Sequence, residues 1–174
     1  GTTDERIVST QWHATLRVPE VITEDGRKTT FTYDAQGKVL TTTVEDIAET
    51  RSRVNTYTYN ALGLVETIDG PRTDISDVTT YTYDAQGRVA TVTNPLGHVT
   101  TIPSYNDRAQ PLEVIDTNGV TTSFTYHPRG WVLSSTLEDP TGNTANDLTT
   151  SYTYNTSGNV TSITMPNGEV MSFE

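Results

Sequence analysis

Three histidines, His13, His98 and His127, are the first residues to consider for acid–base chemistry. His13 and His127 each follow an aromatic residue and stand where other copies of a repeated motif carry Asp or Asn, so a turn role accounts for both. His98 has no partner set by its spacing. The chain has no cysteine and no Gly-x-Ser-x-Gly, His-Glu-x-x-His or phosphate-loop pattern. These observations favour a protein that is not an enzyme and has no catalytic residues.

Carboxylates are numerous, with 22 Asp and Glu against 11 Lys and Arg. A glycosidase needs two of them about 5–9.5 Å apart in a cleft, but Asp34 and Asp84 already have a place in predicted turns. The segment 138–147 offers oxygen ligands of the type that calcium prefers, and its weak candidates are Asp139, Asn143 and Asp147. It lacks the ordered spacing of a calcium loop, so a solvated acidic loop is the competing interpretation. No other metal or cofactor is indicated.

Trp131 is the aromatic residue that stands apart from the others. It replaces the basic residue that other copies carry at this position, as at Lys38 and Arg88, and we expect this position on the polar face. An exposed indole there could stack on a sugar ring or anchor a protein, which makes Trp131 the candidate ligand contact. The alternative is that the indole fills a gap beneath a neighbouring loop.

The formal net charge of −11 argues against partners that are themselves negatively charged. Contacts from Lys and Arg to phosphate dominate affinity for nucleic acids, so a nucleic acid is a poor partner for an acidic chain. The apolar runs are only a few residues long, which excludes the run of about 20 residues that a membrane-spanning helix needs.

A repeated motif organises the whole chain. YDAQGKV at 33–39 recurs as YNALGLV at 59–65, YDAQGRV at 83–89, YHPRGWV at 126–132 and YNTSGNV at 154–160, with degenerate copies at 12–18 and 105–111. Residues 1–174 therefore form a single block of about seven units, because a period of 20–50 residues indicates stacked supersecondary units. The leading aromatic residues of the units are Trp12, Tyr33, Tyr59, Tyr83, Tyr105, Tyr126 and Tyr154.

Each unit is predicted to be a β-hairpin. Aromatic residues alternate with Thr or Ser before each leading aromatic, which is the pattern of a half-buried strand. The D-x-x-G sequence that follows favours a tight turn with a left-handed glycine. The predicted turn residues are Asp34, Gly37, Asn60, Gly63, Asp84, Gly87, Gly130, Asn155 and Gly158. The leading aromatics and those two residues earlier should form an aromatic ladder that stacked neighbours bury: Trp12, Phe31, Tyr33, Tyr57, Tyr59, Tyr81, Tyr83, Tyr105, Phe124, Tyr126, Tyr152 and Tyr154.

Two features of this prediction stay open. The valine after each turn and the next aliphatic residue of the returning strand are three apart, so either a bulge or burial on both faces must intervene. The segment 46–53 is the one helix candidate, with an extended connection as its alternative.

The consensus that residues 79–89 (TTYTYDAQGRV) carry best resembles the YD repeat of the Rhs family, which includes bacterial Rhs toxins, toxin-complex shell subunits and teneurins. The resemblance extends from Trp12 to Phe173. It implies an all-β fold in which tandem hairpins stack into a curved antiparallel sheet, a segment of a spiral β-shell that encloses a toxin domain. Because complete shells have many more repeats, we expect the chain to be a fragment of a larger protein.

We therefore expect a structural, non-enzymatic β-shell segment of a large secreted or surface-delivered bacterial protein, with flanking YD repeats and an enclosed or presented domain as its partners. Exposed edge strands should promote self-association. The alternative is a carbohydrate-binding or cell-adhesion module with a glycan as its ligand. A glycoside hydrolase is the least favoured function, and we expect neither nucleic-acid binding nor membrane insertion.

Overall fold

The computed structural model of the protein describes residues 7–48 and 51–173. It is all-β, as the sequence predicts. The strands are β1 (Val8–Trp12), β2 (Pro19–Glu24), β3 (Arg27–Tyr33), β4 (Val39–Asp46), β5 (Arg51–Tyr59), β6 (Val65–Asp69), β7 (Val78–Tyr83), β8 (Val89–Thr93), β9 (Val99–Tyr105), β10 (Pro111–Ile115), β11 (Thr121–Tyr126), β12 (Val132–Leu137), β13 (Leu148–Tyr154), β14 (Val160–Thr164) and β15 (Val170–Ser172).

The strands lie in one open sheet in the order in which they occur in the chain. Each leading aromatic ends an odd-numbered strand. The returning strand begins two residues after the turn glycine, or after Ala109 in the copy at 105–111, whereas β2 begins three residues after Leu16. Residues of the chain group into two compact units. One comprises residues up to 81 together with 94–97, and the other comprises residues 82–93 together with those from 98 onward.

The turn after each leading aromatic is set by the motif itself. In the β3–β4 hairpin the Asp34 amide donates to the Lys38 carbonyl over 2.9 Å, and the Gly37 amide donates to the Asp34 carbonyl over 3.0 Å. The carboxylate Oδ1 of Asp34 accepts from the amides of Gln36 and Lys38 at 2.9 and 2.8 Å. Gly37 adopts φ of 82°, the left-handed region that disfavours a side chain. The motif thus satisfies the amides of its own turn.

The structure contains a bulge in the returning strand, which was one of the two open alternatives. Tyr33 pairs with Val39, whereas Thr32 pairs with Thr41, so Leu40 is the extra residue. The pairing register shifts by one residue in the same way at Tyr59, Tyr126 and Tyr154, with the extra residue in the returning strand. A bulge reverses the side-chain alternation, and this brings residues three apart onto one face.

The prediction that stacked neighbours bury the aromatic face is wrong, because none of the described residues is buried. The aromatic rings at Phe31, Tyr33 and Tyr59 are half-buried. Their side chains have neighbours beside them in the sheet, and lateral contact alone leaves one side of each ring in solvent. On the opposite face, hydroxyl pairs such as Thr32–Thr41 and Thr58–Thr67, each 2.7 Å apart, are exposed as expected.

The segment 46–53 is extended, not helical, in the part that the structure describes, which agrees with the alternative of an extended connection. Strand β4 continues to Asp46 and β5 begins at Arg51, while residues 49 and 50 lie outside the described ranges. One 3-10 turn at Thr144–Asn146 lies in the loop between β12 and β13. Within the described ranges, no helix has the length and apolarity that crossing a membrane would require.

The contact between repeats as the candidate functional site

The leading tyrosines connect successive repeats through their hydroxyl groups. The Tyr59 hydroxyl donates to the backbone carbonyl of Val39, in the returning strand of the preceding hairpin, over 2.7 Å. The Tyr154 hydroxyl reaches the Val132 carbonyl over the same distance. Tyr33, Tyr105 and Tyr126 make the equivalent bond to the carbonyls of Pro19, Val89 and Pro111.

This contact differs from the ring-on-ring ladder that the sequence predicts. The pairs Phe31–Tyr33 and Phe124–Tyr126 stack at 6.3 and 6.4 Å, and each pair lies within one strand. Leading tyrosines lie on alternate strands, and strands are about 4.8 Å apart, so an intervening strand separates two successive rings. The phenol instead reaches the backbone of that intervening strand, as from Tyr59 in β5 to Val39 in β4.

The environment of these hydroxyls favours the neutral phenol. Partial burial of the phenol, which removes water from around its hydroxyl, raises the pKa of Tyr59, with a smaller contribution from the negative charge of Asp34. Burial also raises the pKa of Tyr126 and of Tyr154. A neutral hydroxyl is required for donation to a carbonyl, so these contacts depend on the protonated form.

A second contact between repeats starts from the residue that follows the turn glycine. Lys38 Nζ lies 5.0 Å from the ring centre of Tyr59, and the Arg88 guanidinium lies 4.6 Å from that of Tyr105. At the equivalent position Gln110 donates to the Gly130 carbonyl over 2.7 Å. The basic residue of the motif therefore covers the tyrosine of the next repeat, where a cation is attracted to the ring face.

Trp131, the predicted ligand contact, occupies this same position and packs in the same way. Its ring lies 5.2 Å from that of Tyr154 and stacks on His127 at 4.8 Å with an interplanar angle of 14°. A Cβ atom added to Gly158 would lie 2.8 Å from the indole. Trp131 is half-buried, and the turn of the next repeat, at Gly158, packs against its indole.

The predicted turn residues lie in the turns, where their polar atoms bind backbone amides. Asn60 and Asn155 each accept from two amides, as Asp34 and Asp84 do. The hydrogen bond from the Lys38 amide is the main reason why the pKa of Asp34 is lowered, although desolvation opposes it. Gly63, Gly87, Gly130 and Gly158 all have φ between 78° and 92°.

The calcium candidates are engaged within their own loop. Asp139 accepts from the Thr141 amide over 2.8 Å and from the Asn146 side chain over 3.1 Å. Asp147 accepts from the Asp139 amide, and Asn143 accepts from the Ala145 amide. The hydrogen bond from the Thr141 hydroxyl contributes most to the lowered pKa of Asp139. In residues 7–48 and 51–173, no group of three or more His, Cys, Asp or Glu side chains could hold a metal ion.

Sequence reasoning missed the role of the tyrosine hydroxyl, although the repeats contain a signal for it. After Trp12, every leading aromatic is Tyr, whereas the column two residues earlier mixes Phe31 and Phe124 with tyrosines. A ring that only packs tolerates either residue, but a hydroxyl donor requires Tyr. Trp12 itself ends β1 and is 62% exposed.

Comparison with known proteins gives two family matches. The family described as Teneurin YD-shell matches residues 20–144, and the family described as RHS Repeat matches residues 139–170. No curated protein matches the chain in sequence.

Solved structures of TcdB2–TccC3 have a similar fold. The structure without its hypervariable C-terminal region is 15% identical and superposes with a TM-score of 0.70 over 91% of this chain. The TcdB2–TccC3–Cdc42 structure gives 16% identity and a TM-score of 0.71, also over 91% of this chain. The chain spans 9% of the length of either of those chains. At this identity the likeness shows the fold alone. Because the first family covers well over half of the sequence, the chain belongs to the teneurin YD-shell family.

Proposed function

We propose that the chain is a structural, non-enzymatic segment of a β-shell, in which its task is to enclose or present another domain of a larger protein. The observation that carries this proposal is the hydroxyl-to-carbonyl contact that joins five leading tyrosines to the preceding hairpin, as from Tyr59 to Val39 and from Tyr154 to Val132. Such a contact makes each hairpin a support for the next. A wall that extends by repetition needs this property, whereas a catalytic cleft does not.

The hydrogen bonds and ion pairs of the polar motif residues support the same function. The carboxylates at Asp34 and Asp84 are occupied by turn amides and by the basic residue four positions later. One groove, about 640 Å³ in volume, is lined by Arg27, Arg51 and Arg53 together with two aspartates. One of these, Asp46, accepts from the Ala48 amide over 2.9 Å. The motif residues therefore have structural roles.

The proposed partners are other parts of the same parent protein, and both the family and the short length of this chain relative to the similar structures support them. The similar structures contain TcdB2 and TccC3, and this chain covers 9% of their length. We infer that flanking YD repeats continue the sheet and that the enclosed or presented domain belongs to the same parent protein. A shell of this type suits a secreted or surface-delivered protein.

Limited proteolysis of the parent protein, with the sequences that flank this segment, tests enclosure. The enclosed domain should resist protease in the intact protein and become accessible when Tyr59→Phe and Tyr154→Phe together weaken the wall. Tyr57→Phe and Tyr152→Phe serve as controls, since these residues lie two positions earlier in the same strands. Cleavage of the domain at equal rates in all three proteins would contradict the proposal.

Edge pairing is a further expectation for this 174-residue chain. Strand β1 pairs with β2, and β15 pairs with β14, so each presents one edge without a partner strand among the described residues. Unpaired edges favour association with another sheet. Light scattering at high protein concentration should show dimers or larger species, and a strictly monomeric chain would argue against this association.

A further inference from the structure

Two of the hairpin turns use a histidine where the others use a carboxylate or an amide. The Nδ1 atom of His127 accepts from the Arg129 amide at 3.1 Å. The Nδ1 atom of His13 accepts from the amides of Thr15 and Leu16 at 3.3 and 3.1 Å. The side-chain oxygens of Asp34 and Asn60 accept turn amides at the same position of the motif.

The chemistry of these bonds fixes the protonation state of both rings. A backbone N–H can only donate, so Nδ1 must offer a lone pair and the ring proton must lie on Nε2. Adding a second proton converts Nδ1 into a donor that faces another donor, and the turn loses its acceptor. Asn oxygens do not titrate, and Asp ionises well below the range of about pH 5 to 8 in which histidine ordinarily changes charge.

We propose that His13 and His127 are acid-sensitive switches that loosen two hairpin turns, and with them the contacts between repeats, when the surroundings become acidic. The connection to the next repeat is direct. His127 stacks on Trp131 at 4.8 Å, and Trp131 contacts Tyr154 of the following hairpin at 5.2 Å. The ring of His13 lies edge-on to Tyr33 at 6.0 Å.

The charged and titratable side chains that lie near the imidazole of His127 differ from those near the imidazole of His13. Around His127 they are Arg129, whose guanidinium lies 5.4 Å from the Trp131 ring, and Tyr154 on the far side of the indole. Arg129 also donates to the Thr156 carbonyl over 2.8 Å and so joins the same two turns. A proton on His127 places a second cation beside this indole. Near His13 lies the phenol of Tyr33, and the negative charge of Glu20 acts on that phenol.

The direction of the effect follows from proton linkage. The closed turn binds a neutral imidazole, whereas the opened turn accepts an additional proton. Because the closed turn needs Nδ1 as an acceptor, we expect the stability of the chain to be lost as the pH falls from about 8 to 5, the range in which histidine ordinarily changes charge.

The double variant His13→Asn with His127→Asn tests the proposal in the full chain. Asn occupies this position at Asn60 and Asn155, so the variant keeps the acceptor at every pH. Between about pH 8 and pH 5 the Tm of the original chain should fall by roughly 4–8 °C more than that of the variant. Parallel Tm profiles for the two proteins would overturn the proposal.

The reciprocal variant Asn60→His provides an independent test. Asn60 accepts from the amides of Leu62 and Leu64, both at 3.0 Å. Replacing it should add a new acid-dependent loss of Tm and faster amide exchange at Leu62, relative to the original chain at the same pH. An Asn60→His chain whose pH profile matches the original would show that a histidine at this position does not act as a switch.

Discussion

The hydroxyl of Tyr59 donates to the carbonyl oxygen of Val39 over 2.7 Å, and this bond joins two residues that are 20 positions apart and belong to successive hairpins. Tyr126 and Tyr154 make the same bond over separations of 15 and 22 residues. The lengths of the intervening loops therefore vary while the contact stays constant. Among the residues that the structure describes, no hairpin has a buried core of its own, so the contact with its neighbour contributes directly to its stability.

Tyr59→Phe should lower the free energy of unfolding by about 1 kcal/mol, because it removes one hydrogen bond and leaves the Val39 carbonyl without this donor. Urea unfolding measures the change. Tyr57→Phe is the matched control, since it lies in the same strand and no hydrogen bond of its hydroxyl is found among the described residues. Equal losses in the two variants would mean that the Tyr59 hydroxyl has no special role.

High pH should destabilise the sheet. The pKa values of Tyr59, Tyr126 and Tyr154 are raised above 10.0, chiefly by burial. The unfolded chain then releases these protons at lower pH than the folded chain, so stability is present below pH 10.0 and is lost as the pH rises through the folded pKa values. Tyrosinate absorbance and the circular dichroism of the sheet should change together. Complete ionisation with the sheet intact would contradict the contact.

Gly158→Ala should be more destabilising than Gly37→Ala. Both glycines have left-handed φ values, 90° and 82°, so each substitution costs about 1–2 kcal/mol in backbone strain. A Cβ at Gly37 meets nothing within 4 Å, whereas at Gly158 it would lie 2.8 Å from Trp131. The displaced indole should add about 1–3 kcal/mol. Thermal unfolding that ranks the two variants equally would show that Trp131 does not pack here.

Trp131→Ala should destabilise the chain by roughly 2 kcal/mol, about half of the loss typical of a fully buried Trp. Trp131→Arg should stay within about 1 kcal/mol of the original chain, because a guanidinium lies over the Tyr105 ring at the equivalent position of another repeat. A glycan array supplies the second readout. Specific glycan binding that Trp131→Ala abolishes at unchanged stability would support the carbohydrate-binding alternative instead.

Much of the fold could be predicted from the sequence, because the motif contains both a strand pattern and a turn. Alternation around Tyr33 and the Asp34–Gly37 turn define each hairpin through local contacts, and local chemistry is what a sequence displays. The bulge at Leu40 remained one of two options, since the spacing of apolar residues does not distinguish a bulge from burial on both faces. The half-burial of the rings could not be predicted, because it depends on whether another layer covers the sheet.

The candidate site was harder to predict for a similar reason. The acceptor of the Tyr59 hydroxyl is a backbone carbonyl, and every residue has one, so no residue type marks Val39 as the partner. The packing of Trp131 on Gly158 depends on two turns of different repeats lying side by side, and the spacing of aromatics along one chain does not give that distance.

Amide hydrogen exchange of the full chain carrying Tyr59→Phe tests most directly whether neighbouring hairpins hold each other in place. Faster exchange should appear in β3–β4, the hairpin that supplies the acceptor, as well as in β5–β6, which contains the substitution. Acceleration confined to β5–β6, with β3–β4 protected as in the original chain, would contradict mutual support between repeats.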